Sequence, residues 1–329
     1  MSTSTPVPPP AAPSGPPHLT LVVFRLAALF TFLAVAMGAV VCATGSGASC
    51  PTWPGCRPDR VVPQWELSPM VEFTHRVGAI GAGPLVLAAA LASLRLHGAL
   101  RWVRVMPWIA LAGAIAAGVF GRIVVVGHLP TALGAVDLFS ALTAMTATGT
   151  SAVLLGRVLS GAAGAGVRVG GGARRVVPLA ASSVVVVVAL HVSGILAAGT
   201  GSYTRCLGWP LWRLVDGDLH PWLQVTRLGL AAVGVVLVTA AAVTAARTDG
   251  LRGWGTAVAV LLAGELAVGL VLRSGGLDQG VAAAYSVLAA GLLWSLGLLG
   301  AVAWSAGRGA LGPAGPPPAL QAGEQLVAS

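Results

Sequence analysis

The sequence predicts an all-α integral membrane protein, with eight transmembrane helices arranged as two parallel-repeat four-helix bundles. Three observations predict it. Only 9% of the 329 residues are charged against 56% hydrophobic, and the mean hydropathy is +0.86, whereas a water-facing surface needs charge near 25%. Eight apolar windows occur, each long enough to cross about 30 Å of hydrocarbon at about 1.5 Å per residue. The third observation is a loop pattern that occurs twice, once in each half of the chain.

Residues 1–18 are rich in Pro and Ser, lack the basic start of a signal peptide, and are expected to form a disordered tail. The first half, 19–158, holds apolar windows at 19–43, 69–94, 107–126 and 132–156. A Gly-rich linker is expected at 159–175, followed by the second half at 176–305, with windows at 176–199, 222–246, 254–273 and 279–305. Residues 306–329 form the second expected tail. All 19 basic residues are Arg. They lie singly between apolar runs and not on one dense face, which argues against nucleic acid and for topology. Arg95, Arg101 and Arg104 follow span two, Arg157, Arg168, Arg174 and Arg175 follow span four, Arg247 and Arg252 follow span six, and Arg308 follows span eight. The positive-inside rule places these loops and both termini in the cytoplasm, in a multi-pass protein of the cell membrane.

The internal repeat sets the architecture. Thr44-Gly45-Ser46, Cys50 and Trp53-Pro54 recur with the same spacing as Thr200-Gly201-Ser202, Cys206 and Trp209-Pro210. Thr74-His75-Arg76-Val77-Gly78 is echoed by Val225-Thr226-Arg227-Leu228-Gly229. Four spans per half keep both copies in one orientation, so the halves are related by an axis along the membrane normal.

Ionisable groups inside spans mark chemistry or pairing, because burying them costs several kcal/mol. Span two carries Glu72, His75 and Arg76, with His75 and Arg76 at i+3 and i+4 from Glu72 and so on one face. Such a histidine can ligate a metal or haem iron, and such a carboxylate can orient a ligand or take a proton. Alternatively, Glu72 and Arg76 form a locking pair and His75 is a packing residue. His191 lies inside span five at a depth comparable with His75, so the two could meet through a cofactor, whereas His18, His97, His128 and His220 fall near span ends and are read as solvated. Cys50 and Cys56, six apart across prolines, suggest a small disulfide loop. Zinc is the competing reading, but the loop offers no further ligand. Cys206 has no cysteine six residues on and is expected to stay odd, with Cys42 a small apolar filler.

The run Thr44-Gly45-Ser46-Gly47, Cys50-Pro51-Thr52-Trp53-Pro54-Gly55-Cys56, followed by Glu72-Phe73-Thr74-His75-Arg76, resembles the haem A synthase family, as does the four-plus-four layout. The resemblance implies oxidation of a methyl group of haem O to the formyl group of haem A, with haem b as cofactor. It also implies two partners, a farnesyl-transferring enzyme that supplies haem O and an electron donor. By resemblance, Glu72, His75 and Arg76 are catalytic, His75 ligates haem iron, and Cys50 and Cys56 form the outer disulfide. The family's remaining histidine positions fall on Asp137, Thr226 and Tyr285. Asp and Tyr can bind ferric iron through oxygen, so Asp137, Tyr285 and His191 join His75 as candidate cofactor residues. The alternative is a non-catalytic relative that binds haem or assists oxidase assembly on the same scaffold. An unrelated transporter with parallel repeats is a third reading.

Overall fold

Within a bilayer no water is available to the backbone, and a helix pairs its own N–H and C=O groups, so each apolar run folds as a helix. The computed structural model describes residues 17–96, 101–126, 130–160, 172–197, 205–209, 221–275 and 278–309. Its helices are α1 (Pro17–Ala43), α2 (Leu67–Ser93), α3 (Arg101–Val126), α4 (Thr131–Leu159), α5 (Gly172–Ala197), α6 (Pro221–Ala246), α7 (Arg252–Gly275) and α8 (Gln279–Gly309). These eight are long and apolar enough to span a membrane, and the chain is a multi-pass membrane protein. Several helices outrun their apolar windows. α3 begins at Arg101, α5 begins at Gly172 within the stretch expected as linker, and α8 continues to Gly309. Hydropathy marks only what sits in hydrocarbon, whereas helical hydrogen bonding continues into the headgroup layer.

Helix packing reveals the pseudo-symmetry. α1, α2, α3 and α4 form one ring of neighbours, and α5, α6, α7 and α8 form another. The halves meet through α1 with α8, α4 with α5, and α4 with α8. Exchanging each helix with its equivalent four places on turns the first of these contacts into the second and leaves the third unchanged. That is the signature of a two-fold axis running between α4 and α8, and it makes the architecture two parallel-repeat four-helix bundles. Close approach at this seam depends on small residues: a Cβ on Gly149 of α4 would lie 2.5 Å from Nε1 of Trp294 on α8. Trp294 in turn stacks on Phe32 of α1 at 4.6 Å between ring centroids, and Thr31 of α1 hydrogen-bonds Thr148 of α4 at 2.7 Å.

The two bundles are packed differently. In the first, the buried cluster gathers Phe24, Ala27 and Ala28 of α1, Val86 and Ala89 of α2, Val103 and Ala110 of α3, and Ala147 to Leu155 of α4. All of these lie in the half of the bundle away from the loop that joins α1 to α2. Between Leu111 and Ile123 no residue of α3 is buried. The second bundle is filled along its length: Val187 and Leu190 of α5, Val238 of α6, Val258 and Leu262 of α7, and Leu292 to Leu299 of α8 form one cluster with Leu207 and Trp209, which Ala39 of α1 and Leu142 and Met145 of α4 join across the seam. Above it, Leu272, Ala282 and Tyr285 close the end with Ala43 and Cys206.

One expectation is corrected. Cys206 is not odd and Cys42 is not a filler, because the two form a disulfide with 5.4 Å between Cα atoms. Comparing equivalent positions of the repeat looks for bridges within a half. This one crosses between halves, from the end of α1 to the segment that follows α5.

Candidate functional site: the disulfide end of the first bundle

Gly45, at φ 65°, turns the chain out of α1 in a left-handed conformation that a side chain would strain. A short 3₁₀ turn at Ser46–Ala48 follows, and Ser49 Oγ donates to the Ser46 carbonyl at 2.6 Å. Cys50 and Cys56 are joined as a disulfide, and both are about 1% exposed. The loop then reverses, with the Cys56 N–H donating to the Val61 carbonyl at 3.1 Å. Arg122, near the end of α3, lies over the Trp53 ring, 5.7 Å from its centroid.

The loop is bound to α2 by Glu72 and Arg76, which are 3% and 5% exposed. Glu72 Oε2 accepts from the Cys50 N–H at 2.8 Å and from Ser49 Oγ at 3.0 Å, and Oε1 accepts from Arg76 Nη2. Arg76 Nη2 also donates to the Cys50 carbonyl at 2.7 Å, and Nη1 donates to the carbonyls of Gly55, at 3.0 Å, and Thr52. The fork geometry of guanidinium suits this role, since its donors reach several acceptors with one charge neutralised by the carboxylate. The locking pair weighed for these residues is therefore present, and its grip is on the loop between α1 and α2.

His75 sits one turn along from Glu72 and turns toward α1. Its ring lies on Gly38, where a Cβ would meet Cε1 at 3.0 Å, and beside the Ala34 carbonyl. Nδ1 is buried and has no hydrogen-bond partner among the described residues, a costly state for a polar atom that no ligand satisfies. Asp137, in the second turn of α4, is half-buried, and no hydrogen bond or ion pair engages it among the described residues. Both residues belong to the end of the first bundle nearer the disulfide loop, where α2 and α3 give no residue to a buried apolar cluster.

The second bundle places its counterparts otherwise. Thr226 is exposed and donates to the Trp222 carbonyl at 2.9 Å. Tyr285 is 1% exposed and its hydroxyl donates to the Trp209 carbonyl. Trp209 itself is 2% exposed, wedged against Gly234 of α6, whose Cβ would lie 3.0 Å from the indole, and near Leu190 of α5. His191 is buried completely, with neither ring nitrogen partnered among the described residues. Arg227, the equivalent of Arg76, donates from Nε to Ser193 Oγ at 3.0 Å and from Nη2 to the Leu190 carbonyl at 3.2 Å, gripping α5 on either side of His191. His75 and His191 are not brought together: α2 packs on α1 and α3, whereas α5 packs on α4, α6 and α8.

Sequence reasoning missed Glu265, which is 0% exposed in α7 with both carboxylate oxygens unpartnered among the described residues. Its signal was available as a lone acid in the apolar run from Leu261 to Leu270. His18 is exposed; His97, His128, His220, the Thr200 to Ser202 copy of the loop motif and the Gly-rich stretch after Ser160 lie outside the described residues. No group of three or more potential metal ligands occurs among the described residues.

No family model matches the chain. The chain is similar to the heme A synthase of Geobacillus kaustophilus (strain HTA426), at 27% identity over 231 residues, which cover 68% of this chain and 69% of that protein. This likeness is distant, and it supports a relationship to the haem A synthase family.

Proposed function

We propose that the chain is a haem A synthase-type oxidoreductase that converts haem O to haem A for cytochrome oxidase, with the first bundle as its substrate half. The observation that carries this reading is the contrast in packing between the bundles. Where His75 offers an unpartnered nitrogen and Asp137 an unengaged carboxylate, α2 and α3 give no residue to a buried apolar cluster, and Ala39 of α1 and Leu142 and Met145 of α4 join the cluster of the second bundle, which is filled at the equivalent place. A nitrogen donor on α2 and an oxygen donor on α4 suit the iron of haem O. Glu72 and Arg76 fix the disulfide loop across this end of the bundle and hold the Glu72 carboxylate one turn from His75, where it serves the oxidation. The farnesyl-transferring enzyme supplies the substrate, and a separate electron donor completes the reaction.

Haem b, where this family carries it, supplies electron transfer. The second-half residues do not fit a bis-histidine site for it, since Thr226 faces outward and Tyr285 and Trp209 occupy the interior. That filling favours a second reading, a non-catalytic relative that binds haem or assists oxidase assembly. Expression in a strain lacking its own haem A synthase, with chromatography of extracted haems, decides between them. Haem A that disappears on Glu72→Ala supports the enzyme. Haem O alone, with the protein inserted and both disulfides formed, supports the relative.

In the proposed orientation both termini are cytoplasmic and both disulfides face the outside of the cell membrane. A membrane-impermeant thiol reagent applied to intact cells after mild reduction should then label Cys50 and Cys56. Labelling only after lysis reverses the topology.

A further inference from the structure

At the end of the molecule opposite the disulfides, a cavity of about 420 Å³ opens along the seam between the bundles. α1 contributes Arg25 and Leu29, α4 contributes Gly156 and Arg157, and Trp254 and Trp294 close it from α7 and α8. Small side chains hollow it out: Gly149, Ala152 and Gly156 follow one face of α4, with Ala28 opposite on α1. The cavity thus has apolar walls and a cationic mouth. Arg25 Nη2 would lie 3.9 Å from a Cβ on Gly156, so its guanidinium reaches the level of Arg157. Among the described residues no carboxylate pairs with either arginine. Arg157 Nε and Trp294 Nε1 are buried without a hydrogen-bond partner among the described residues.

Two neighbouring cations with no counter-charge repel each other, and leaving a guanidinium donor unsatisfied in a membrane helix is costly. An anion would relieve both. Because Arg157 and Trp254 each lie within the last or first turn of a helix, the anion belongs at the headgroup level, and the apolar walls running away from it call for a tail. We propose that this seam is a binding site for an anionic phospholipid, whose phosphate sits between Arg25 and Arg157 and whose acyl chain lies along Leu29, Val153, Leu298 and Val302. At the two-fold equivalent seam the repeat places Ala181 and Ser305 where Arg25 and Arg157 stand, and the arginine nearest α8 there, Arg174, approaches Gly307 instead. The pair of arginines that would hold the phosphate therefore occurs once in the pseudo-symmetric protein.

The test uses the full chain purified in a neutral detergent, with native mass spectrometry of its adducts with phosphatidylglycerol and with phosphatidylcholine of the same acyl chains. The parent should retain phosphatidylglycerol preferentially. Arg25→Gln with Arg157→Gln should lower that retention on the order of tenfold, and each single change should lower it less. Gly156→Leu, whose Cβ would meet only Leu21 and Arg25 at 3.7 and 3.9 Å, should fill the groove and reduce binding of both lipids. Arg175→Gln, elsewhere on the same face of the membrane, should leave the preference intact. Equal retention of the two lipids by the parent overturns the proposal. So does an undiminished preference in the double variant, a loss as large in Arg175→Gln, or displacement of the lipid by millimolar inorganic phosphate alone, which would mark a free-anion site.

Discussion

Replacing Arg76 by Met keeps most of the side-chain volume and removes every polar contact the guanidinium makes. Arg76 holds the carbonyls of Cys50, Thr52 and Gly55 and the carboxylate of Glu72. Its loss leaves Glu72, with 4% of its side chain exposed, supported only by the Cys50 N–H and the Ser49 hydroxyl. Orphaning a buried charge costs about 3–5 kcal/mol. Glu72→Gln is gentler, because Arg76 retains three carbonyls and the amide can still accept, so the cost should be about 1.5–3 kcal/mol. In the double variant the uncompensated carboxylate no longer exists, and the loss should fall below the sum of the singles by about 1.5–3 kcal/mol. Unfolding of the detergent-solubilised protein, paired with the rate at which a protease cuts the loop between Gly45 and Glu66, measures all four corners of the cycle. Additivity within about 0.5 kcal/mol, or a cost below about 1 kcal/mol for Arg76→Met, would refute the lock and mean that water already satisfies these groups.

Three further outcomes are expected. Gly38→Ala places a methyl 3.0 Å from Cε1 of His75 and should displace the imidazole, reducing haem O retention nearly as far as His75→Ala does, as read by the absorbance of the purified protein; unchanged spectra would remove His75 from the site. A pyridine haemochrome assay should find at most one haem per chain, lost on His75→Ala, and two per chain would contradict the filled second bundle. Cutting the chain once between Leu159 and Gly172 should leave the halves joined on a non-reducing gel through Cys42 and Cys206, and separated after reduction or on Cys42→Ser.

The membrane spans were readable because charge is so scarce that its few positions punctuate the chain, and the two-half arrangement follows from the repeat that Thr44 to Pro54 announces, whereas the helices that meet at the seam, α1, α4, α5 and α8, do not. The Glu72 and Arg76 pairing was equally open to view, since a spacing of four on a helix admits it. What they hold was not, because the Cys50, Thr52 and Gly55 carbonyls are backbone groups that sequence does not distinguish. The bridge from Cys42 to Cys206 spans 164 residues and depends on how two bundles face each other, which periodicity within one bundle does not encode. Tyr285 stood out against the expected histidine, yet its partner is again a backbone carbonyl, that of Trp209. Glu265 was visible as an acid amid leucines, but a lone side chain without a spaced companion offers no geometry from which to argue.

The wedge formed by Trp209 and Tyr285 has a consequence for how the molecule comes into being. A bundle built around a large flat ligand is short of contacts until that ligand arrives, and its helices must wait, half assembled, in the lipid. Here one bundle supplies its own filling from a segment of its chain and needs no delivery. On the function proposed above, the first bundle, tied to it by the Cys42 bridge, would await its ligand against a finished wall, so that accumulation of the protein would be uncoupled from the supply of haem.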